Sequence, residues 1–206
     1  IFSFSAIVLM AMVVMFSILG ARFYLADKVF AKAMQSKDYA EIESKLQKSL
    51  SLRGGSDIYH VAMARAYLIR AGQLSQENNP QVQAITNFMA NAVNEAKAAT
   101  DISPNAVGIW ENLATMYENT AVLVPEAADW AIKSLNRALE LEPTSAVLMW
   151  RLGNNYALQK NFVKAAEYYQ KSIALKKDYV AAYVGLTSAY ENNKELDKAI
   201  EIYKNL

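Results

Sequence analysis

From Ile1 to Ala21 the chain carries no charged residue. A helix of that length rises about 30 Å, the thickness of a bilayer's hydrocarbon core. Ser3, Ser5, Ser17 and Gly20 are residue types that spanning helices tolerate. A signal peptide's apolar region is shorter, roughly 7–15 residues, and Leu19-Gly20-Ala21 makes a poor cut site. A buried core helix rarely avoids every charge over such a stretch. The pattern predicts a transmembrane helix over residues 1–21. Nothing breaks the helix between Ala21 and Ser36, so the span is expected to run on into the first soluble helix. Arg22, Lys28, Lys32 and Lys37 follow it, which under the positive-inside rule leans the rest of the chain toward the cytoplasm. The start at Ile1, inside the apolar run, reads as a fragment with more protein before it.

Beyond residue 22 the pattern repeats with a fixed period of about 34 residues. Leu152-Gly153-Asn154-Asn155-Tyr156 returns one period later as Leu186-Thr187-Ser188-Ala189-Tyr190, and Ala165 with Tyr169 returns as Ala199 with Tyr203. Trp110-Glu111-Asn112-Leu113-Ala114-Thr115-Met116-Tyr117 is a third copy of the first half, with Ala131, Leu135, Ala138 and Pro143 as its second half. Ala33, Tyr67, Tyr117, Tyr156 and Tyr190 fill one slot, and Ile42, Ala92, Ala131, Ala165 and Ala199 another. Gly54, Pro104, Pro143 and Lys177 close the units. The units run 23–56, 57–106, 107–145, 146–179 and 180–206, the last incomplete, so further repeats or a polar cap are expected beyond Leu206. Extra length in the second unit predicts a polar loop over residues 72–80. A helix of about 20 residues should follow, with Val82, Ile85, Met89, Ala92, Ala96 and Ala99 on one stripe. Extra residues around Ala121–Glu126 predict a longer turn in the third.

These coincident slots resemble the tetratricopeptide repeat (TPR) family, whose unit is a helix–turn–helix of about 34 residues. The resemblance implies an all-α fold: a right-handed solenoid of antiparallel helix pairs over residues 22–206, preceded by one transmembrane helix. Small residues such as Gly153, Ala114, Ala165 and Ala199 let paired helices approach, and Trp110, Tyr156, Tyr169 and Tyr203 fill the gaps between pairs. In this family partners lie in the concave groove lined by the first helices. That places Glu111, Thr115, Glu118, Asn119, Trp150, Arg151, Asn154, Val184, Ser188 and Glu191 in the candidate partner groove, with Trp150, Arg151 and Asn154 as peptide anchor. Packing of Trp150 on the adjacent repeat is the competing expectation. Family members that clamp a terminal carboxylate use groove Lys and Asn. Only Asn112 and Asn154 fit that pattern here, and Glu111 and Glu118 argue against an acidic tail.

Composition narrows the chemistry. Few prolines and glycines, with plentiful helix formers, agree with an all-helical chain. A net charge of +1, with no basic stripe, points away from nucleic acid. The sequence has no cysteine, and His60 is its one histidine. It occupies the slot of Trp110 and Tyr183, which reads as packing. No phosphate loop, nucleophile–base pair or metal-ligand spacing emerges, so no cofactor, metal or small-molecule substrate is expected and the segment reads as non-catalytic. Two functions compete: a membrane-anchored scaffold for protein partners, and the C-terminal TPR region of a polytopic bacterial glycan polymerase or ligase of the O-antigen type. The second is suggested by Trp110-Glu111-Asn112 and Asp129-Trp130-Ala131-Ile132, which look similar to such bacterial tails.

Overall fold

The computed structural model describes residues 4–205, and residues 1–3 and Leu206, at the ends of the expected span and last repeat, lie outside it. Helices α1 (Phe4–Gln35), α2 (Tyr39–Leu52), α3 (Asp57–Ser75) and α4 (Val82–Ile102) belong to a first compact unit, residues 1–102. A second unit, residues 103–206, holds α5 (Val107–Thr120), α6 (Ala127–Leu141), α7 (Ala146–Leu158), α8 (Phe162–Leu175), α9 (Val180–Asn192) and α10 (Leu196–Asn205). No strand occurs among the described residues. The fold is the expected all-α one, a TPR-like solenoid arrangement of helix pairs with an apolar helix at its start.

In the first unit α1 is unbroken over 32 residues, as the absence of breakers predicts. Its first half touches little protein: Phe4 is 84% exposed and Phe16 64%. Ser17 satisfies its hydroxyl on the Val13 carbonyl at 2.8 Å, so it presents no free donor to an apolar medium. Packing begins near Phe23, whose ring lies under the Arg53 guanidinium at 5.0 Å. Ala26 and Ala33 are then fully buried. Phe30 stacks on Tyr59 at 4.8 Å, and the Tyr59 hydroxyl donates to Asp27. Asp38 starts α2 by accepting from the Ala40 amide.

The loop expected over residues 72–80 is shorter at its start, because α3 continues through Ser75 and buries Leu74; residues 76–81 form the turn, and α4 then runs 21 residues. Ile85, Ala92, Ala96 and Ala99 of the predicted stripe are buried, whereas Val82 remains exposed at the first turn. His60 is half-buried, with one ring nitrogen 2.6 Å from Glu95 and the other 3.0 Å from the Gly54 carbonyl. It joins α3 to α4 and to the preceding turn, so its slot is a packing slot with polar partners.

In the second unit leucines carry the core. Leu135, Leu148 and Leu152 are fully buried around Ala114 and Ala138. Each is worth roughly 1.5–3 kcal/mol, more than an exposed pair such as Lys171–Glu167 can supply. Pro104 and Pro143 sit two residues beyond the ends of α4 and α6, where a proline can no longer remove a helical hydrogen bond. The turns after α7 and α9 are alike. Lys160 and Lys194, at equivalent positions of successive repeats, both adopt positive φ (58° and 63°). The next amides, Asn161 and Glu195, bond back to the Tyr156 and Tyr190 carbonyls at 2.9 Å.

Candidate partner-binding groove

The residues expected to line the groove separate into two groups within the second unit. One is a joint between α5 and α7. The Arg151 guanidinium reaches Glu118 Oε2 at 2.7 Å and Thr115 Oγ1 at 2.9 Å, and its other nitrogen lies 3.8 Å from Glu111 Oε1. Glu118 Oε1 accepts from buried Asn155 at 2.8 Å. Asn119 donates to the Thr115 carbonyl within α5. One cation thus serves two half-buried carboxylates, and most hydrogen-bonding capacity of Glu111, Thr115, Glu118 and Arg151 is spent inside the protein.

The other group lines a hollow of about 410 Å³ among α7, α8 and α9. Trp150, Asn154 and Ala157 come from α7, Val184, Ser188 and Asn192 from α9, and Phe162 and Tyr169 from α8. Trp150 is half-buried rather than free. It packs on the core formed by Ala165, Tyr169 and Leu186, and its ring meets Tyr179 edge-on at 6.0 Å. The packing expectation thus holds for one face of Trp150, and the rest of the ring borders the hollow. Asn154 accepts from the Tyr169 hydroxyl at 2.7 Å, which leaves its amide nitrogen as its donor. Ser188 is exposed on the α9 wall, while Glu191, one position past Tyr190, stays outside the hollow and accepts from Tyr203 at 3.3 Å.

Tyr169 forms the floor for a reason read in two glycines. A Cβ built on Gly153 of α7 or Gly185 of α9 would lie 2.6 Å from the Tyr169 ring. The ring is gripped between two helix backbones, and burial pushes its hydroxyl up to about 12. Gly153 was legible as a small slot. Gly185 falls outside the repeating set of slots, and its one signal is a glycine inside a helix where no turn needs it. Phe162, Gly185 and Asn192 join the hollow without having been expected there.

Of the two asparagines suited to a carboxylate clamp, one is withdrawn and one keeps its donor at the hollow. Asn112 is buried, whereas the Tyr169 bond occupies only the Asn154 oxygen and leaves its amide N–H to donate. The slot tyrosines lie between helices with differing partners, Tyr67 against Phe88 at 5.9 Å. Tyr156 stacks on Tyr168 at 5.3 Å, and Tyr117 on Trp130 at 6.2 Å. Lys164 and Lys198, one repeat apart, lie over Tyr156 and Tyr190. Tyr203, on α10, is 60% exposed and donates to Glu191.

The family model for the tetratricopeptide repeat matches residues 146–179, which include α7, α8 and their turn. No curated protein matches the sequence. Among solved structures, the chain is similar to the MamA protein, with a TM-score of 0.70 at 18% identity over 90% of each chain. It is also similar to pilF of Pseudomonas aeruginosa, with a TM-score of 0.62 at 16% identity over 89% of this chain and 76% of that one. A tetratricopeptide repeat protein from Parabacteroides merdae ATCC 43184 gives 0.67 at 15% identity, covering 87% of this chain and 64% of the other. At such identities these likenesses speak to fold. The chain thus has the fold of tetratricopeptide-repeat proteins, and over residues 146–179 it also matches their sequence pattern.

Proposed function

We propose that this chain is a membrane-tethered repeat scaffold: residues 1–21 span a bilayer, and the helix pairs from residue 22 onward hold protein partners without catalysing a reaction. The observation that carries the reading is α1 itself. One unbroken helix is bare and apolar over its first half and packed into helix pairs over its second. Leaving that many large apolar side chains in water is costly, and a bilayer is the medium that matches their length and their lack of charge. The basic residues Arg22, Lys28, Lys32 and Lys37 favour the cytoplasmic side for the repeats. Since the chain has no cysteine, a single Ser51→Cys reports sidedness cleanly. Labelling by an impermeant maleimide in inverted vesicles but not in intact cells is the expected result, and the reverse would place the repeats outside.

The partner seat in this reading is the hollow of the second unit. Trp150 supplies an aromatic wall and the Asn154 amide and Ser188 supply polar contacts, whereas Glu111, Thr115, Glu118 and Arg151, engaged with one another at the α5–α7 joint, lie outside its lining. Glu191 lies on the α9 side. A photo-crosslinking residue at position 154 or 188 should capture protein in cells, while one at Glu140 should not. Equal capture at all three positions would defeat the assignment. Trp150→Ala should reduce capture with the helical circular-dichroism spectrum retained. The glycan-polymerase reading rests on the Trp110-Glu111-Asn112 and Asp129-Trp130-Ala131-Ile132 stretches. The number of spans encoded upstream of Ile1 separates it from the simple scaffold, about ten for the polymerase type and one or none for the scaffold.

A further inference from the structure

The first unit contains a hollow larger than the one described, about 580 Å³, between the end of α1, the start of α2 and one face of α3. That volume lies within the roughly 300–1,000 Å³ of clefts that hold ligands. Its lining is mainly aliphatic. Ile58, Val61 and Ile69 fall on a single stripe of α3 and face Phe30 and Met34 of α1. Ile58 is 61% exposed, Ile69 60% and Met34 50%, so three large apolar side chains converge on one opening rather than scattering over the surface.

The charges at this hollow have one sign. Lys37, in the turn after α1, and Arg65, in the middle of the α3 stripe, both line it, and no carboxylate does. The acids next to its lining residues in sequence are engaged: Asp38 caps α2, Glu41 is held by Lys45 and Ser36, and Asp57 accepts from the Ile58 amide. Among the described residues neither Lys37 nor Arg65 forms an ion pair. Arg70 adds a third cation beside it, over the Tyr39 ring at 5.5 Å and donating to Gln73.

We propose that this hollow seats an acidic amphipathic segment of a partner protein, with apolar side chains against Ile58, Ile69 and Met34 and carboxylates beside Lys37 and Arg65. The inference rests on the scaffold reading and adds a seat of different chemistry from the one at Trp150. Two cations on different elements match carboxylates spaced along a chain, whereas an acyl chain, the rival occupant, brings a single acidic head. The test uses the full chain in phosphatidylcholine nanodiscs and fluorescent synthetic helical peptides with leucines along one face. One peptide carries glutamates beside the leucines and the other carries lysines. The glutamate peptide should bind at least about tenfold more tightly. Lys37→Glu with Arg65→Glu should invert that preference, Ile69→Asp should abolish binding of both, and Trp150→Ala should change neither.

Lys37, Arg65 and Ile69 are exposed, so these variants should keep the wild-type melting curve; charge-reversed protein with that curve and an unaltered preference would overturn the proposal. Equal binding of the two peptides, or release of the glutamate peptide by stoichiometric oleate, would overturn it as well. Failure here with Trp150-dependent crosslinking intact removes this seat alone, and loss of both removes the scaffold reading.

Discussion

At the scale of single residues, Tyr169 fits closely between Gly153 and Gly185. Adding one methyl at either glycine must displace the ring or separate α8 from its neighbours, so Gly153→Ala and Gly185→Ala should each lose about 1–3 kcal/mol in urea denaturation. Alanine ordinarily favours a helix over glycine, so a gain in stability at either position would show that the ring yields easily. Tyr169→Phe keeps the fit and removes the bond to Asn154, at a cost of about 0.5–1.5 kcal/mol.

The tyrosine hydroxyls also set an alkaline limit. Burial raises Tyr169 to about 12, and burial with the neighbouring Asp27 carboxylate raises Tyr59 to about 12. Each group holds its proton longer when folded than when unfolded. Their contribution is therefore complete below pH 10 and is lost as pH rises from about 10 to 12. Absorbance at 295 nm should show late-ionising tyrosines, and Tyr169→Phe should lessen the loss of stability in that window.

At the scale of elements, the joint between α5 and α7 is governed by Arg151. Arg151→Ala leaves Glu118 and Glu111 beside each other without their cation. The expected loss is about 1–3 kcal/mol, less than for a fully buried pair because both acids keep partial contact with water. Arg151→Met with Glu118→Leu should recover much of it, and a double-mutant cycle measures the coupling. The paired turns offer the opposite sign. Lys160 and Lys194 occupy the left-handed region, where a side chain costs energy, so Lys160→Gly and Lys194→Gly should each gain about 0.5–1 kcal/mol.

The regular spacing of the repeat along the chain is enough to make these two turns equivalent, and the 21-residue α4 follows from the extra length of the second unit, whereas α3 reaches Ser75, four residues into the expected loop. The division of the groove residues does not follow from it. Arg151 and Asn154 are three positions apart on one helix face, yet one turns to α5 and the other to α8. Spacing along a helix says which residues share a face, but not which neighbour each side chain reaches.

At the scale of the whole chain, α1 is the proposed tether. A bilayer tolerates its apolar half and penalises arginine at its centre by about 2.5–3.5 kcal/mol each. Val13→Arg with Val14→Arg should therefore move the chain from the alkali-resistant membrane fraction to the soluble or aggregated one. If the doubly substituted chain stays in the membrane fraction, residues 1–21 are not what holds it there.

The sequence alone determined the helical class, the apolar leading helix and the period of the pairs, because these depend on residue type and spacing along one chain. The tertiary structure decided the grip of two glycines on Tyr169, the use of Arg151 as a joint, and the gathering of Lys37 and Arg65 around one aliphatic hollow. Each of these depends on distances between separate segments of the chain, and such distances are set by how the helix pairs stack.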